Sequence, residues 1–150
     1  MGFEPDIVVT GPEGTEIALV VEAKTKLYDF DATERQLKEY MVGMRCPVGL
    51  LVTPERLWVY RDQYISASDD SITKVGEFDL TNVLKFDEAG VRRKDLAFEV
   101  LVQSWLEGLS TESGLRQLAP ELRAAAQTYI VPAISQGGIR AGHPRYSLSA

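Results

Sequence analysis

The chain has 150 residues, of which 16 are Lys or Arg and 22 are Asp or Glu, so its formal net charge is −6. The hydrophobic fraction of 45% is typical of one folded domain and excludes bulk disorder, while the acidity argues against simple non-specific nucleic-acid binding. No run approaches the roughly 20 apolar residues that span a bilayer, and no secretion signal is visible at the start. The single cysteine, Cys46, cannot form an internal disulfide. We expect a cytoplasmic protein without a membrane partner.

The acidic residues are concentrated near the N-terminus. Residues 1–40 contain nine acids and four bases, whereas the remainder of the chain is nearly balanced. A solvated acidic edge would explain this distribution, and so would a cation-binding site.

The first two elements predict a β-hairpin. Residues 6–10 and 16–24 are largely apolar, and Gly and Pro in 11–14 are typical of a turn. The second strand is apolar nearly throughout, which favours a central position in a sheet.

A helix is predicted next. Asp31 is a suitable N-cap, Glu34 completes a capping box, and Pro47 ends the element. Apolar side chains recur at helical spacing along one face, at Leu37, Tyr40, Met41 and Met44.

The remaining pattern predicts an α/β (α+β) fold with a mixed central sheet flanked by helices. Further strands are expected at 48–53 and 57–61 and, more weakly, at 72–80 and 82–86, and helices at 95–107 and 120–131. We expect one domain over 1–135, with its core in 4–62 and C-terminal strands and helices in 72–131. Residues 136–150, rich in Gly, Ser and Arg, are expected to form a flexible tail.

Three charged residues at the end of the hairpin suggest chemistry. Glu22 and Lys24 point to the same face of a strand, because side chains alternate. A turn centred near residues 13 and 14 pairs positions whose numbers sum to about 27 or 28, which places Asp6 opposite residue 21 or 22. Facing carboxylates repel each other unless a cation lies between them. An exposed hairpin with ordinary acids and a lysine is the structural alternative.

The ligand types in this group suit Mg²⁺ (or Mn²⁺), which binds a few carboxylates together with waters and phosphate oxygens. The expected ligands are Asp6, Glu22 and the main-chain carbonyl of Ala23. Lys24 could orient an attacking water or stabilise developing charge.

The motifs Pro5-Asp6 and Glu22-Ala23-Lys24, sixteen residues apart from acid to acid, resemble those of the PD-(D/E)XK nuclease superfamily. Gln36 and Tyr40 on the next helix resemble the Gln-x-x-x-Tyr motif of the branch that includes the N-terminal nuclease domains of type I restriction enzyme R subunits. The resemblance covers about residues 4–62.

The resemblance implies Mg²⁺-dependent hydrolysis of phosphodiester bonds in DNA. Asp6 and Glu22 would be metal ligands, Lys24 the catalytic lysine, and Gln36 and Tyr40 supporting residues or contacts to nucleic acid. Core packing is the alternative for Tyr40, and solvent exposure on the helix is the alternative for Gln36.

The chain departs from the family in one respect. The family core usually has a helix and a strand before the Pro-Asp strand, and that helix often carries a further acid. Here a restriction-endonuclease-like core is expected without the usual N-terminal helix. The missing parts could come from the C-terminal helices, from a homodimer partner or from another chain. The alternative function is that of a catalytically inactive module of the same fold that binds nucleic acid or a protein partner.

Other candidate sites are weaker. His143 is the only histidine and lies in the expected tail, so neither a histidine-based triad nor a zinc cluster is predicted. Cys46 is interpreted as a buried thiol. The basic run 92–94 is interpreted as a solvated helix start, with phosphate contact as the alternative.

Overall fold

The computed structural model describes residues 4–135 and 137–143. Its strands are β1 (Ile7–Thr10), β2 (Ile17–Ala23), β3 (Val48–Val52), β4 (Arg56–Asp62), β5 (Ile72–Asp79) and β6 (Ile139–Ala141). They form one sheet with the order β5-β4-β3-β2-β1-β6. Strands β2 and β3 are parallel, and every other neighbouring pair is antiparallel. The predicted mixed central sheet flanked by helices is therefore confirmed.

Helix α1 (Phe30–Met44) makes the crossover between the two parallel strands. Its N-cap is Asp29, whose extended backbone lets the carboxylate accept the amide of Ala32 at 3.1 Å. The predicted capping box on Asp31 and Glu34 was wrong. Glu34 instead accepts the hydroxyl of Tyr60 at 2.6 Å and ties α1 to β4.

The other helices are α2 (Lys94–Gly108), α3 (Glu112–Arg116), α4 (Pro120–Ala125) and α5 (Val131–Ile134). They pack on the sheet face that carries Val9 and Val21, while α1 packs on the face that carries Val8 and Val20. Alternation along each strand thus divides the apolar residues between two cores. No helix in the described ranges is long and apolar enough to cross a membrane.

The last helical stretch continues past the predicted end at Val131. A π-helical segment, Ala126–Ile130, joins α4 to α5, and the amide of Val131 donates to the carbonyl of Ala126. Pro132 lies in the first turn of α5, directly after this π-helical segment. Proline therefore does not end the helix.

The weak strand predicted at 82–86 does not form. Asn82 and Lys85 have positive φ angles of 69° and 54°, which are incompatible with an extended strand. Leu84 is buried and Phe86 is partly buried, and both pack against the core on the α2 face without strand pairing. Their apolar character reflects burial rather than sheet formation.

The predicted flexible tail is wrong for the residues that form β6. Ile139 pairs with Val9, and the amide of Gly142 donates to the carbonyl of Asp6 at 2.9 Å. This pairing covers the edge of β1. Residue 136 and residues 144–150 of the predicted tail lie outside the described residues.

The two glycines that precede β6 provide a test of its pairing with β1. A methyl group on Gly137 would overlap the carbonyl of Thr10, whereas one on Gly138 would lie 4.0 Å from the nearest atom, the Thr10 hydroxyl oxygen. We expect Gly137→Ala to destabilise the domain by about 1–3 kcal/mol, because a backbone atom cannot rotate away. Gly138→Ala is the matched control and should leave stability nearly unchanged. Urea unfolding measures both, and equal stability of the two variants would contradict the docking of β6.

Candidate metal centre

The hairpin register brings the two predicted carboxylates together. Ile7 pairs with Val21, and the amide of Asp6 donates to the carbonyl of Val21 at 3.1 Å. Asp6 therefore lies opposite the end of β2, and the pair 7 and 21 has the predicted sum of 28. Lys24 follows β2 directly, and its amide donates to the carbonyl of Val52 at the end of β3.

Asp6 is the centre of this group. Its Oδ2 accepts the amide of Ala23 at 2.8 Å and lies 3.5 Å from Nζ of Lys24. The same Nζ lies 4.0 Å from Oε2 of Glu22. The predicted convergence of the three side chains is thus present in the structure. Ala23, whose main-chain carbonyl was predicted to be a metal ligand, contacts Asp6 through its main-chain amide.

Two residues not predicted from the sequence complete the group. Glu99 lies on α2, and His143 follows β6. The Nε2 atom of His143 is 3.4 Å from Oδ1 of Asp6 and 3.4 Å from Oε1 of Glu99. One ligand atom from each of these three residues lies within 4.8 Å of the others, a spacing that can hold a metal ion.

The carboxylates are withdrawn from solvent. Asp6, Glu22 and Glu99 are only 3%, 4% and 5% exposed. Within the described residues, the buried Oε1 of Glu22 has no hydrogen-bond partner. A buried oxygen of this kind is costly unless a ligand completes its contacts.

The neighbours shift the acid–base properties of each group. Burial and the adjacent Asp6 raise the pKa of Glu22 to about 9. Burial opposes ionisation of Asp6, but hydrogen bonds with Glu22 and Glu99 and the charge of Lys24 outweigh it, so its pKa is lowered. Burial also opposes the charge on Lys24, yet Asp6 and Glu22 raise its pKa overall. At neutral pH, these shifts favour a protonated Glu22 beside a charged Asp6 and a charged Lys24.

The loop after Lys24 is tied to helix α2. Both the amide and the hydroxyl of Thr25 donate to Oδ1 of Asp95, at 3.2 and 2.8 Å. Asp95 also contributes to the raised pKa of Lys24. Helix α2 therefore supports the site at two positions one turn apart, Asp95 and Glu99.

The two helix residues of the Gln-x-x-x-Tyr motif lie in different surroundings. Gln36 is exposed on α1, while Tyr40 is half-buried against the apolar cluster between α1 and the sheet. The position of Tyr40 agrees with the core-packing interpretation. That of Gln36 leaves its amide open to solvent or to a ligand.

A signal for Glu99 was present in the sequence, whereas His143 had none. Glu99 shares a helical face with Val102 and Leu106, both buried, so an acid interrupts an apolar stripe. The contact of His143 depends on the pairing of β6 with β1. This pairing was not predicted, because β6 has only three residues and lies in a Gly-rich segment.

In comparisons with known proteins, no family model, no curated protein and no solved structure matches this chain.

The raised pKa of Glu22 predicts a pH-dependent stability. The folded, metal-free protein keeps the Glu22 proton that the unfolded chain loses near its ordinary value of 4.5, so folding takes up a proton between about pH 4.5 and 9. This contribution is present below pH 4.5 and is lost as pH rises towards 9. Glu22→Gln should therefore flatten the decline of stability over this range.

The measurement is chemical unfolding at several pH values in the presence of a chelator. Glu39→Gln, an exposed glutamate on α1, is the control and should retain the wild-type profile. A Glu22→Gln profile parallel to wild type would contradict the proposed burial of a protonated carboxyl.

Proposed function

We propose that this domain hydrolyses phosphodiester bonds in DNA with a divalent metal ion. The observation that carries the proposal is the convergence of Asp6, Glu22 and Lys24 at one edge of the sheet, with Glu99 beside them. Three buried acids next to one lysine and one histidine are a costly arrangement for stability alone. Such arrangements of shifted acids are common at functional sites.

The residues fit a divalent ion. The unpartnered Oε1 of Glu22 provides a buried oxygen that a cation would satisfy, and Asp6 and Glu99 add further carboxylate oxygens. Hard cations such as Mg²⁺ take oxygen ligands of this type. When bound, the ion would lower the pKa of a water and offset charge on the reacting phosphate.

Lys24 has a separate role in this proposal. Its side chain is 35% exposed, so the ammonium group contacts both Asp6 and Glu22 while it remains accessible to a substrate. A lysine that stays protonated at this position can donate to a phosphate oxygen on which negative charge develops. Asp6 and Glu22 hold it at the edge of the carboxylate group.

The C-terminal half supports the resemblance to PD-(D/E)XK nucleases. In that family a helix and a strand usually precede the Pro-Asp strand, and the helix often carries an acid. Here β6 pairs with the edge of β1, and α2 carries Glu99. In this proposal, β6 and α2 take the roles that the strand and the acid-bearing helix have in that family.

A groove beside the site could receive the substrate. It has a volume of about 640 Å³ and lies beyond the carboxyl ends of the parallel strands β2 and β3, where open α/β sheets bind ligands. Its lining joins the site at Thr25 and includes Lys26, Arg56, Phe30, Trp58 and Phe86. Glu55 and Glu88 also line the groove and offset the positive charges of Lys26 and Arg56. Stacking of nucleic-acid bases on the aromatic side chains is therefore a better source of affinity than charge alone.

A second candidate is a catalytically inactive module of the same fold that binds nucleic acid or a protein partner. The net charge of −6 favours the protein-binding form of this module, because phosphate neutralisation dominates most nucleic-acid affinity. Divalent metal binding that requires Glu22 distinguishes the nuclease from this module.

Replacement of the lysine tests catalysis. Lys24→Ala should lower the rate of Mg²⁺- or Mn²⁺-dependent DNA cleavage by at least about a hundredfold, because a donor to the developing charge is lost. Lys85→Ala, an exposed lysine that lines a different cavity, should cleave like wild type. Single- and double-stranded substrates are both assayed with purified protein. If the wild-type protein cleaves neither substrate with either metal, the nuclease proposal is contradicted.

Replacement of the exposed groups at the groove tests substrate binding. Lys26 is exposed in the groove, and Tyr28, two residues further on, is 91% exposed. In a Lys24→Ala background, adding Lys26→Ala and Tyr28→Ala should weaken binding of a single-stranded oligonucleotide by about tenfold or more, through loss of a phosphate contact and a stacking surface. Fluorescence anisotropy measures this affinity. If the oligonucleotide binds with equal affinity whether or not Lys26 and Tyr28 are replaced, the substrate does not bind in this groove.

A further inference from the structure

We propose that His143 is a ligand of the metal ion and that the site therefore takes a first-row transition ion, represented by Mn²⁺, in preference to Mg²⁺. This inference rests on the metal site of the proposed function and specifies its ion. The unpartnered buried oxygen of Glu22 is a sign of an absent ligand that is independent of the histidine.

The geometry suits a shared ion. The Nε2 atom of His143 lies 3.4 Å from Oδ1 of Asp6 and 3.4 Å from Oε1 of Glu99. Neighbouring ligands of an octahedral ion with bonds of about 2.1 Å lie roughly 3 Å apart. The imidazole nitrogen is thus within a few tenths of an ångström of this spacing from either carboxylate, and all three ligand atoms lie within 4.8 Å of one another.

The backbone holds the imidazole in place. Strand β6 pairs with β1, and the amide of Gly142 donates to the main-chain carbonyl of Asp6. The residue before His143 is therefore fixed to the same aspartate whose carboxylate the ring contacts. The ring itself is about three-quarters buried, with 24% of its side chain exposed.

The donor set determines the class of ion. Mg²⁺ prefers oxygen ligands and keeps several of its waters. Imidazole nitrogen is a ligand of first-row transition ions, and carboxylates suit Mn²⁺ as they do Mg²⁺. A site with the carboxylates of Asp6 and Glu99 and one imidazole, and with Glu22 beside it, therefore fits Mn²⁺ better than Mg²⁺.

The competing explanation is that a protonated His143 neutralises Asp6 and Glu99 as an ordinary ion pair. The two explanations predict opposite effects of removing the ring. An imidazolium would repel a metal ion, so its loss would leave metal affinity unchanged or increase it. Loss of a ligand would decrease it.

The experiment is calorimetric titration of the full chain with Mn²⁺ and, separately, with Mg²⁺. We expect wild type to bind Mn²⁺ more tightly, and His143→Ala to lower Mn²⁺ affinity by about tenfold or more while Mg²⁺ affinity changes little. Arg140 is an exposed residue of β6, the strand that precedes His143. Arg140→Ala is the matched control and should bind both ions like wild type.

Pulsed electron paramagnetic resonance of the Mn²⁺-loaded wild-type protein gives a readout that does not depend on the variant's folding. A hyperfine coupling to a directly bound nitrogen is expected, and it should persist in Arg140→Ala. Absence of that coupling, or undiminished Mn²⁺ affinity in folded His143→Ala, would overturn the inference.

The inference and the proposed function fail in different ways. If Mn²⁺ binds with a dependence on Glu22 but without nitrogen coupling, His143 is not a ligand and the nuclease proposal stands. If wild type binds neither ion, both are overturned.

Discussion

The carboxylate of Asp6 is the interaction on which the arrangement depends. One oxygen accepts the amide of Ala23 and faces Lys24, and the other faces His143. Through these contacts a single side chain joins the first strand to the end of the second and to the segment after the last. Its burial would be unfavourable without these partners, because an isolated buried charge is far more costly than a paired one. The partners in turn require the sheet order that places β1 between β2 and β6.

The sequence predicted the parts of this arrangement that depend on local pattern. Strand alternation placed Glu22 and Lys24 on one face, and the turn position placed Asp6 opposite residue 21 or 22, which agrees with the pairing of Ile7 and Val21. The apolar run of β2 correctly predicted a central strand. These features follow from periodicity and short-range turn geometry, for which neighbouring residues carry the information.

The parts that the sequence did not predict depend on contacts across long separations. Glu99 and His143 lie 93 and 137 residues beyond Asp6 along the chain, and neither has a neighbouring motif that indicates its partner. The wrong prediction of the α1 N-cap also reflects a contact that is distant in sequence. Asp29 and Asp31 are both acceptable caps by residue type, and the packing of Phe30 against Trp58 favours a helix that begins at residue 30.

The site draws on both ends of the described chain, and this couples its chemistry to its folding. In the metal site that we infer, an ion bound by Asp6, Glu99 and His143 would hold β1, α2 and the end of β6 together. An ion that binds only the folded state stabilises it by about 2.7 kcal/mol at a free concentration one hundred times its dissociation constant. The bound ion would also oppose local opening of β6, whose three residues pair with one strand only. The strand positions the histidine, and the ion, once bound, would in turn secure the strand, so that the metal centre and the closure of the sheet edge stabilise each other.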